Sequence, residues 1–356
     1  ASDVYKRQYP DRELRRKFDD IRDIVAAACL CHDLGNPPFG HSGEKTIATY
    51  FSEGRGQDLR GLLTERQWAD FTRFEGNANS FRLLAHRFKG RRHGGMAMTY
   101  STLASTVKYP YNSLHAGPKG KFGFFESEEE IFRKVAGELG MPETAPGRFM
   151  RHPLVYIMEA ADDICYQVMD IEDAHKLKIL PSDLVTELLI AFNPEGSRRR
   201  MREIMASLDD PNERVAYLRS AAVGAMVGGC AEAFMEHEEE IRHGAFSGTL
   251  TDSMDPLLRE AYAACSEVAW NRIYCAREVV DIELAGNRII TFLLDTLVDA
   301  VMNPDKNYSR LLLSVIPTQY DTRARDVYGR LQSVLDHVSG MTDVYALDLY
   351  LSLIHI

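Results

Sequence analysis

Apolar residues recur at helical spacing in almost every segment of this chain, and sustained apolar/polar alternation is absent. The pattern predicts an all-α protein. Its helices are punctuated at Gly35 to Gly40, Gly54 to Gly56, Gly90 to Gly95, Pro110 to Gly120, Gly140 to Gly147, Asn193 to Ser197 and His243 to Ser247, which read as helix connections. No flexible interdomain linker, repeat or low-complexity tract interrupts them. The first break matters most. The apolar run Ile24 to Leu30 enters Cys31-His32-Asp33-Leu34-Gly35-Asn36-Pro37-Pro38, where one glycine and two prolines should stop the helix just after His32 and Asp33. Two potential metal ligands then sit together at a helix end. Beyond the break, His41 and Glu44 stand three residues apart at the start of the next helix, so they share a face and the carboxylate can orient the imidazole.

A lone His-Asp dipeptide is common by chance, so the weight must come from other segments. In the helix around Met158 to Asp170, Asp162, Tyr166 and Asp170 recur every four residues along one stripe. Carboxylates in so apolar a helix need a cation, a ligand or water. A metal on Asp162, with Tyr166 and Asp170 receiving the rest of a substrate, would meet that need, and so would a solvated amphipathic face. In Arg73 to Arg82, Asn77 is either a polar first-turn residue or an amide aimed at phosphate. Lys108-Tyr109-Pro110 and Lys119-Gly120-Lys121-Phe122 set lysines beside aromatics near breakers, as solvated rims or as a polyphosphate cradle. No GKS or GKT loop, GxSxG elbow or HExxH pair is present, which leaves His/Asp chemistry.

Composition narrows the setting. With 356 residues, 45% hydrophobic and 26% charged, the chain can build a large core in one domain or two closely packed subdomains. It carries no apolar run near the roughly 20 residues that span a bilayer and no leader pattern, so a cytoplasmic protein without membrane partners is expected. Cys29, Cys31, Cys165, Cys230, Cys265 and Cys275 lack paired spacing and are expected to be reduced and buried. A net charge of −10 argues against a protein that coats nucleic acid, and the basic clusters Arg12 to Lys17, Arg87 to Arg92 and Arg198 to Arg202 read more simply as solvated surfaces. The ends, residues 1–8 and 351–356, lack caps and resemble translated adaptor runs, so they are expected to be non-native.

Taken in order, the segments His32 to Glu44, FEGNANSFR, LASTVKYP, KFGFF, HPLVYIMEAADDICYQVMDIEDA and SGMTDVYALDLY resemble the deoxyguanosine triphosphate triphosphohydrolase branch of the HD-domain phosphohydrolases, from about Ile21 to Tyr350. The resemblance implies an HD-domain helical fold with additional C-terminal helices: a catalytic core over 9–180 and a helical part over 181–350 packed on it. It implies hydrolysis of a deoxynucleoside triphosphate (dNTP) to deoxynucleoside and inorganic triphosphate. Carried over residue by residue, His32, Asp33 and Asp162 match metal ligands, and His41 with Glu44 matches the catalytic pair. Asn77, Lys108, Tyr109 and Lys121 fall where the family holds phosphates; Tyr166 and Asp170 fall where it holds the deoxyribose. There the phenol packs where a ribose 2′-hydroxyl would go, and the carboxylate accepts from the 3′-hydroxyl. The ligand types suit Mg²⁺ or Mn²⁺, with Fe²⁺ or Co²⁺ as further options. The family's first ligand is a histidine on an upstream helix, and no histidine precedes His32. Truncation is the expected cause, leaving this chain short of one ligand and of phosphate contacts beside it, with its own turnover impaired. Family members assemble, so a homo-oligomer is expected, with Asn287 to Met302 and Tyr328 to Val338 as interface or as core. The rival readings are another HD nucleotide phosphohydrolase, such as a nucleotidase, and a silent scaffold binding nucleotide or single-stranded nucleic acid. An intact His41/Glu44 pair speaks against the scaffold.

Overall fold

The computed structural model describes residues 12–91 and 95–354, the side chains of residues 12–15 excepted. The expected foreign end at 1–8, Arg92 of one basic cluster, and residues 355 and 356 lie outside the described residues. The protein is all-α, as the periodicity predicts. In chain order the first helices are α1 (Arg12–Cys31), α2 (Gly40–Ser52), α3 (Glu65–Thr72), α4 (Gly76–Ala85), α5 (Tyr100–Thr106) and α6 (Glu129–Glu138). One connection differs from expectation. On either side of Gly147 a short antiparallel pair forms, β1 (Glu143–Ala145) with β2 (Arg148–Phe149). Gly147 turns it at φ 73°, and a Cβ there would meet Asn112 Nδ2 at 2.0 Å, so only glycine fits. Strands of three and two residues are too short for alternation to show in sequence.

The chain divides into two compact units. The first comprises the described residues to Val25 with His152–Val280. It contains α7 (Pro153–Lys176), α8 (Ser182–Ile190), α9 (Glu195–Ala206), α10 (Pro211–Glu236), α11 (Glu238–Arg242) and α12 (Pro256–Val268). Ile164, Val168 and Ile171 of α7 recur at helical spacing and pack into one core with Leu189, Leu218, Met226 and Cys265. Burying each such side chain contributes roughly 1.5–3 kcal/mol. This inward stripe leaves Asp162, Tyr166 and Asp170 on another face of the same helix.

The second unit comprises Ala26–Arg151 with the described residues from Asp281 onward. Its later helices are α13 (Arg277–Met302, entering this unit at Asp281), α14 (Asn307–Val315), α15 (Val327–Ser339) and α16 (Asp343–Ile354). Ile47 and Phe51 of α2, Phe71 of α3, Leu293 and Leu297 of α13, and Leu331 and Leu335 of α15 form its main core. The apolar faces expected within Asn287 to Met302 and Tyr328 to Val338 therefore serve as core. Stacked rings knit it together, Phe51 on Phe71 at 4.9 Å and Phe71 on Tyr328 at 5.1 Å.

All six cysteines are free, but their burial is mixed. Cys230 and Cys265 are buried as expected, Cys29 and Cys31 are half-buried, and Cys165 and Cys275 are exposed. Cys165 follows core residue Ile164, and one helical step turns it away from the core. No helix among the described residues is long and apolar enough to cross a membrane.

Candidate active site

The break after α1 comes slightly earlier than the prolines suggest. The helix ends at Cys31; the His32 amide still donates to Ala28 O at 2.9 Å, but Leu34 and Asn36 donate only three residues back, to Cys31 O and Asp33 O. His32 and Asp33 thus lie in a tight turn. The His32 ring is buried, and its Nδ1 lies 2.7 Å from Cys29 O. A carbonyl can only accept, so Nδ1 carries a proton, and the ring turns its Nε2 toward Asp33. Asp33 Oδ2 stands 3.3 Å from that nitrogen. At that distance either a proton on Nε2 or a cation bound by both groups joins them, and the donor types fit a hard or borderline divalent ion.

The turn is clamped from α4. Ser80 Oγ donates to His32 O at 2.6 Å and accepts from the Gly35 amide at 2.8 Å. Asn79 Nδ2 donates to Gly35 O at 2.8 Å and to Ser339 Oγ at 3.1 Å. Gly35 must be glycine here, because a Cβ would lie 2.1 Å from the Ser80 amide nitrogen. Sequence reasoning passed over Asn79 and Ser80, although both lie inside the segment it singled out.

α2 begins in strain: Phe39 adopts φ 64°, held by donating its amide to Asp343 Oδ1 at 2.8 Å. His41 and Glu44 do share a face, with Nδ1 to Oε2 at 3.7 Å, beyond hydrogen-bond reach. The His41 side chain is 71% exposed and that of Glu44 only 9%. Glu44 Oε1 accepts the Gly76 amide at 2.7 Å, and its Oε2 lies 3.4 Å from Lys121 Nζ. Lys121 meets a second carboxylate, Glu75, at 2.6 Å. Burial opposes the Lys121 charge, but Glu75 and Glu44 outweigh it and raise its pKa.

Glu75 was not anticipated. It is buried, caps α4 through the amides of Asn77 (2.8 Å) and Ala78 (3.3 Å), and accepts Asn77 Nδ2 at 2.8 Å. Burial raises its pKa, Lys121 opposes that rise, and Glu44 adds to it. A glutamate directly before the Gly-Asn helix start was the available signal, since N-caps favour shorter side chains. Asn77 does sit in the first turn, and its amide NH₂ is engaged by Glu75. Tyr109 and Lys108 are half-buried on the strip alongside: Gly123 N donates to Tyr111 O at 2.9 Å, and a phenolate at Tyr109 would raise the Lys121 pKa. His41, Glu44, Lys121, Glu75 and Asn77 are therefore linked in a chain of contacts, with Glu44 and Glu75 joined through Lys121.

Asp162, Tyr166 and Asp170 belong to the first unit. Asp162 and Asp170 are half-buried and Tyr166 is exposed along α7. Asp170 Oδ2 accepts from Tyr274 Oη at 2.6 Å, and burial raises the Asp170 pKa against that bond. Tyr274, also unforeseen, follows a π-helical turn at Ala269–Ile273. It is flanked by Trp270, whose ring centroid is 6.2 Å away.

The fold is all-helical, and residues 253–352 match the phosphohydrolase-associated domain. Full-length comparisons go further. A deoxyguanosinetriphosphate triphosphohydrolase-like protein of Pseudomonas aeruginosa is 31% identical over 339 residues, covering 93% of this chain and 76% of that protein. One from Synechocystis is 35% identical over 354 residues, covering 93% and 77%. A deoxyguanosinetriphosphate triphosphohydrolase of Yersinia enterocolitica is 27% identical over 412 residues, covering 95% and 79%. The chain belongs to the deoxyguanosinetriphosphate triphosphohydrolase-like family.

Proposed function

We propose that the protein hydrolyses dGTP or another dNTP to deoxynucleoside and inorganic triphosphate, using a divalent metal. The observation that carries this reading is family membership along 93% of the chain, joined to a clamped His-Asp turn at the residues that the family pattern marks. His32, Asp33 and Asp162 would hold the ion, Mn²⁺ or Mg²⁺ first among those suited to imidazole and carboxylate. Bound there, the metal would supply polarisation of the α-phosphoryl group and a lower pKa for neighbouring water.

The chain's own residues do the rest. His41 Nδ1 faces Glu44, which leaves Nε2 to move a proton to or from the reacting oxygen. Glu44 can orient the ring because the Gly76 amide and Lys121 fix its own two oxygens. Lys121, Lys108, Tyr109 and Asn77 line the triphosphate, where positive charge offsets what builds in the transition state. Tyr166 and Asp170 receive the deoxyribose. The Tyr274 hydroxyl on Asp170 occupies the place from which a 3′-hydroxyl would donate, so substrate entry makes Tyr274 share or release that carboxylate. Exposed apolar side chains on α16, Val344 at 68% among them, support a homo-oligomer as the working form.

The test is product analysis with Mn²⁺ or Mg²⁺. Inorganic triphosphate should appear from dGTP or another dNTP, and His41→Ala should slow its release about 10²- to 10⁴-fold. Pyrophosphate or monophosphate as the product, or preferential attack on dGMP, would overturn the reading.

A further inference from the structure

A cavity of about 480 Å³ opens in the second unit, lined by Asp305, Arg310, Thr322, Arg323 and Arg330 among others. Arg310 comes from α14, Arg323 from the turn that follows it, and Arg330 from the start of α15. Three arginines against one aspartate leave an excess of two positive charges on its walls. Among the described residues none of the three guanidinium groups is ion-paired. Neighbouring carboxylates are committed elsewhere: Asp321 accepts the Arg323 amide at 3.3 Å, Asp326 the Gly329 amide at 2.6 Å, and Asp299 lies 3.4 Å from Lys306 Nζ. Arg330 is the most constrained. Its Nε is closed off from solvent with no hydrogen-bond partner, and its Nη1 reaches the Val301 carbonyl at 3.5 Å.

Arg310 and Arg323 are exposed and Arg330 is half-buried, so one partly desolvated cation and two solvated ones converge on the cavity with little counter-charge, an arrangement that attracts an anion. The geometry points to a binding site for a phosphate-bearing small molecule, held by the arginine forks. Guanidinium donors match phosphate oxygens two at a time, and the volume falls in the range of small-molecule pockets and exceeds what one phosphate fills. The site shares no residue with the proposed catalytic cluster and does not depend on it. It lies wholly within the phosphohydrolase-associated segment.

Calorimetric titration of the full chain with inorganic triphosphate and with ATP tests this, at about 0.15 M salt to screen diffuse attraction. A Lys121→Ala background weakens phosphate binding at the catalytic cluster. The Arg310→Ala/Arg323→Ala pair removes exposed side chains, so the fold should persist. Binding in that background should weaken at least tenfold on their removal, the scale of a lost charge-assisted contact. Loss for both ligands assigns recognition to the phosphates alone, and loss for ATP only adds the nucleoside to the ligand; either supports the site. An unchanged affinity for both ligands would overturn it, as would an equal loss in the exposed Arg199→Ala/Arg200→Ala pair.

Discussion

At the scale of single residues, the candidate site depends on one hydroxyl. Ser80 satisfies a carbonyl and an amide of the His-Asp turn at once, both buried, and so fixes where His32 stands. Ser80→Ala leaves both groups unpaired, at about 1–3 kcal/mol each. We expect Mn²⁺ affinity, followed by electron paramagnetic resonance, to fall about 10- to 100-fold, as for other supports of a ligand. An unchanged affinity in a folded variant would mean that the turn holds itself. Lys121 is the second residue of interest, because its charge is shared between Glu75 and Glu44. Lys121→Met should raise KM for the triphosphate more than it lowers kcat. A pure kcat effect would place Lys121 in support of Glu44 alone.

Between elements, a buried ion cluster ties α4 to α15. Arg82 is bidentate to Asp336, at 2.7 and 2.8 Å, and its Nη1 reaches Glu128 at 2.5 Å. Removing the guanidinium strands two buried carboxylates, so Arg82→Met should cost about 3–5 kcal/mol in urea unfolding. Arg82→Lys should recover little, since an ammonium cannot bridge both acids in that fork. If the lysine variant is as stable as the parent, the cluster acts through net charge and not through geometry. This cluster also shows where sequence reading stops. Helices were legible because their apolar spacing is local, and so were the His41/Glu44 face and the Asp162 to Asp170 stripe. The partners of Arg82 lie 46 and 254 residues away, and the Tyr274 that engages Asp170 lies 104 residues on. No periodicity reports such pairings. Glu75 was hidden for another reason: its role comes from burial, and a sequence does not display burial of a charge.

For the molecule as a whole, two buried groups of the second unit act on stability in opposite directions. Asp70 accepts from Tyr328 Oη at 2.7 Å and from the Glu126 amide at 2.8 Å, yet burial pushes its pKa from 3.8 up to about 6. The folded protein therefore keeps this proton over a range where the unfolded chain has released it. The stabilisation is complete below about pH 4 and is lost as pH rises through about 6. His337 behaves inversely: burial lowers its pKa from 6.5 to about 4, so its contribution is present above about 6.5 and is lost as pH falls toward 4. Because the windows overlap and the signs oppose, the contributions of these two groups nearly cancel between pH 4 and 6, and single substitutions should uncover the slopes. The Asp70→Asn variant keeps the shape of the side chain and removes its ionisation. Measured by urea unfolding, its stability minus that of the parent should climb by about 2–3 kcal/mol from pH 4 to 6 and then level off. Parallel profiles would mean that Asp70 stays ionised in the fold, its two hydrogen bonds outweighing its burial.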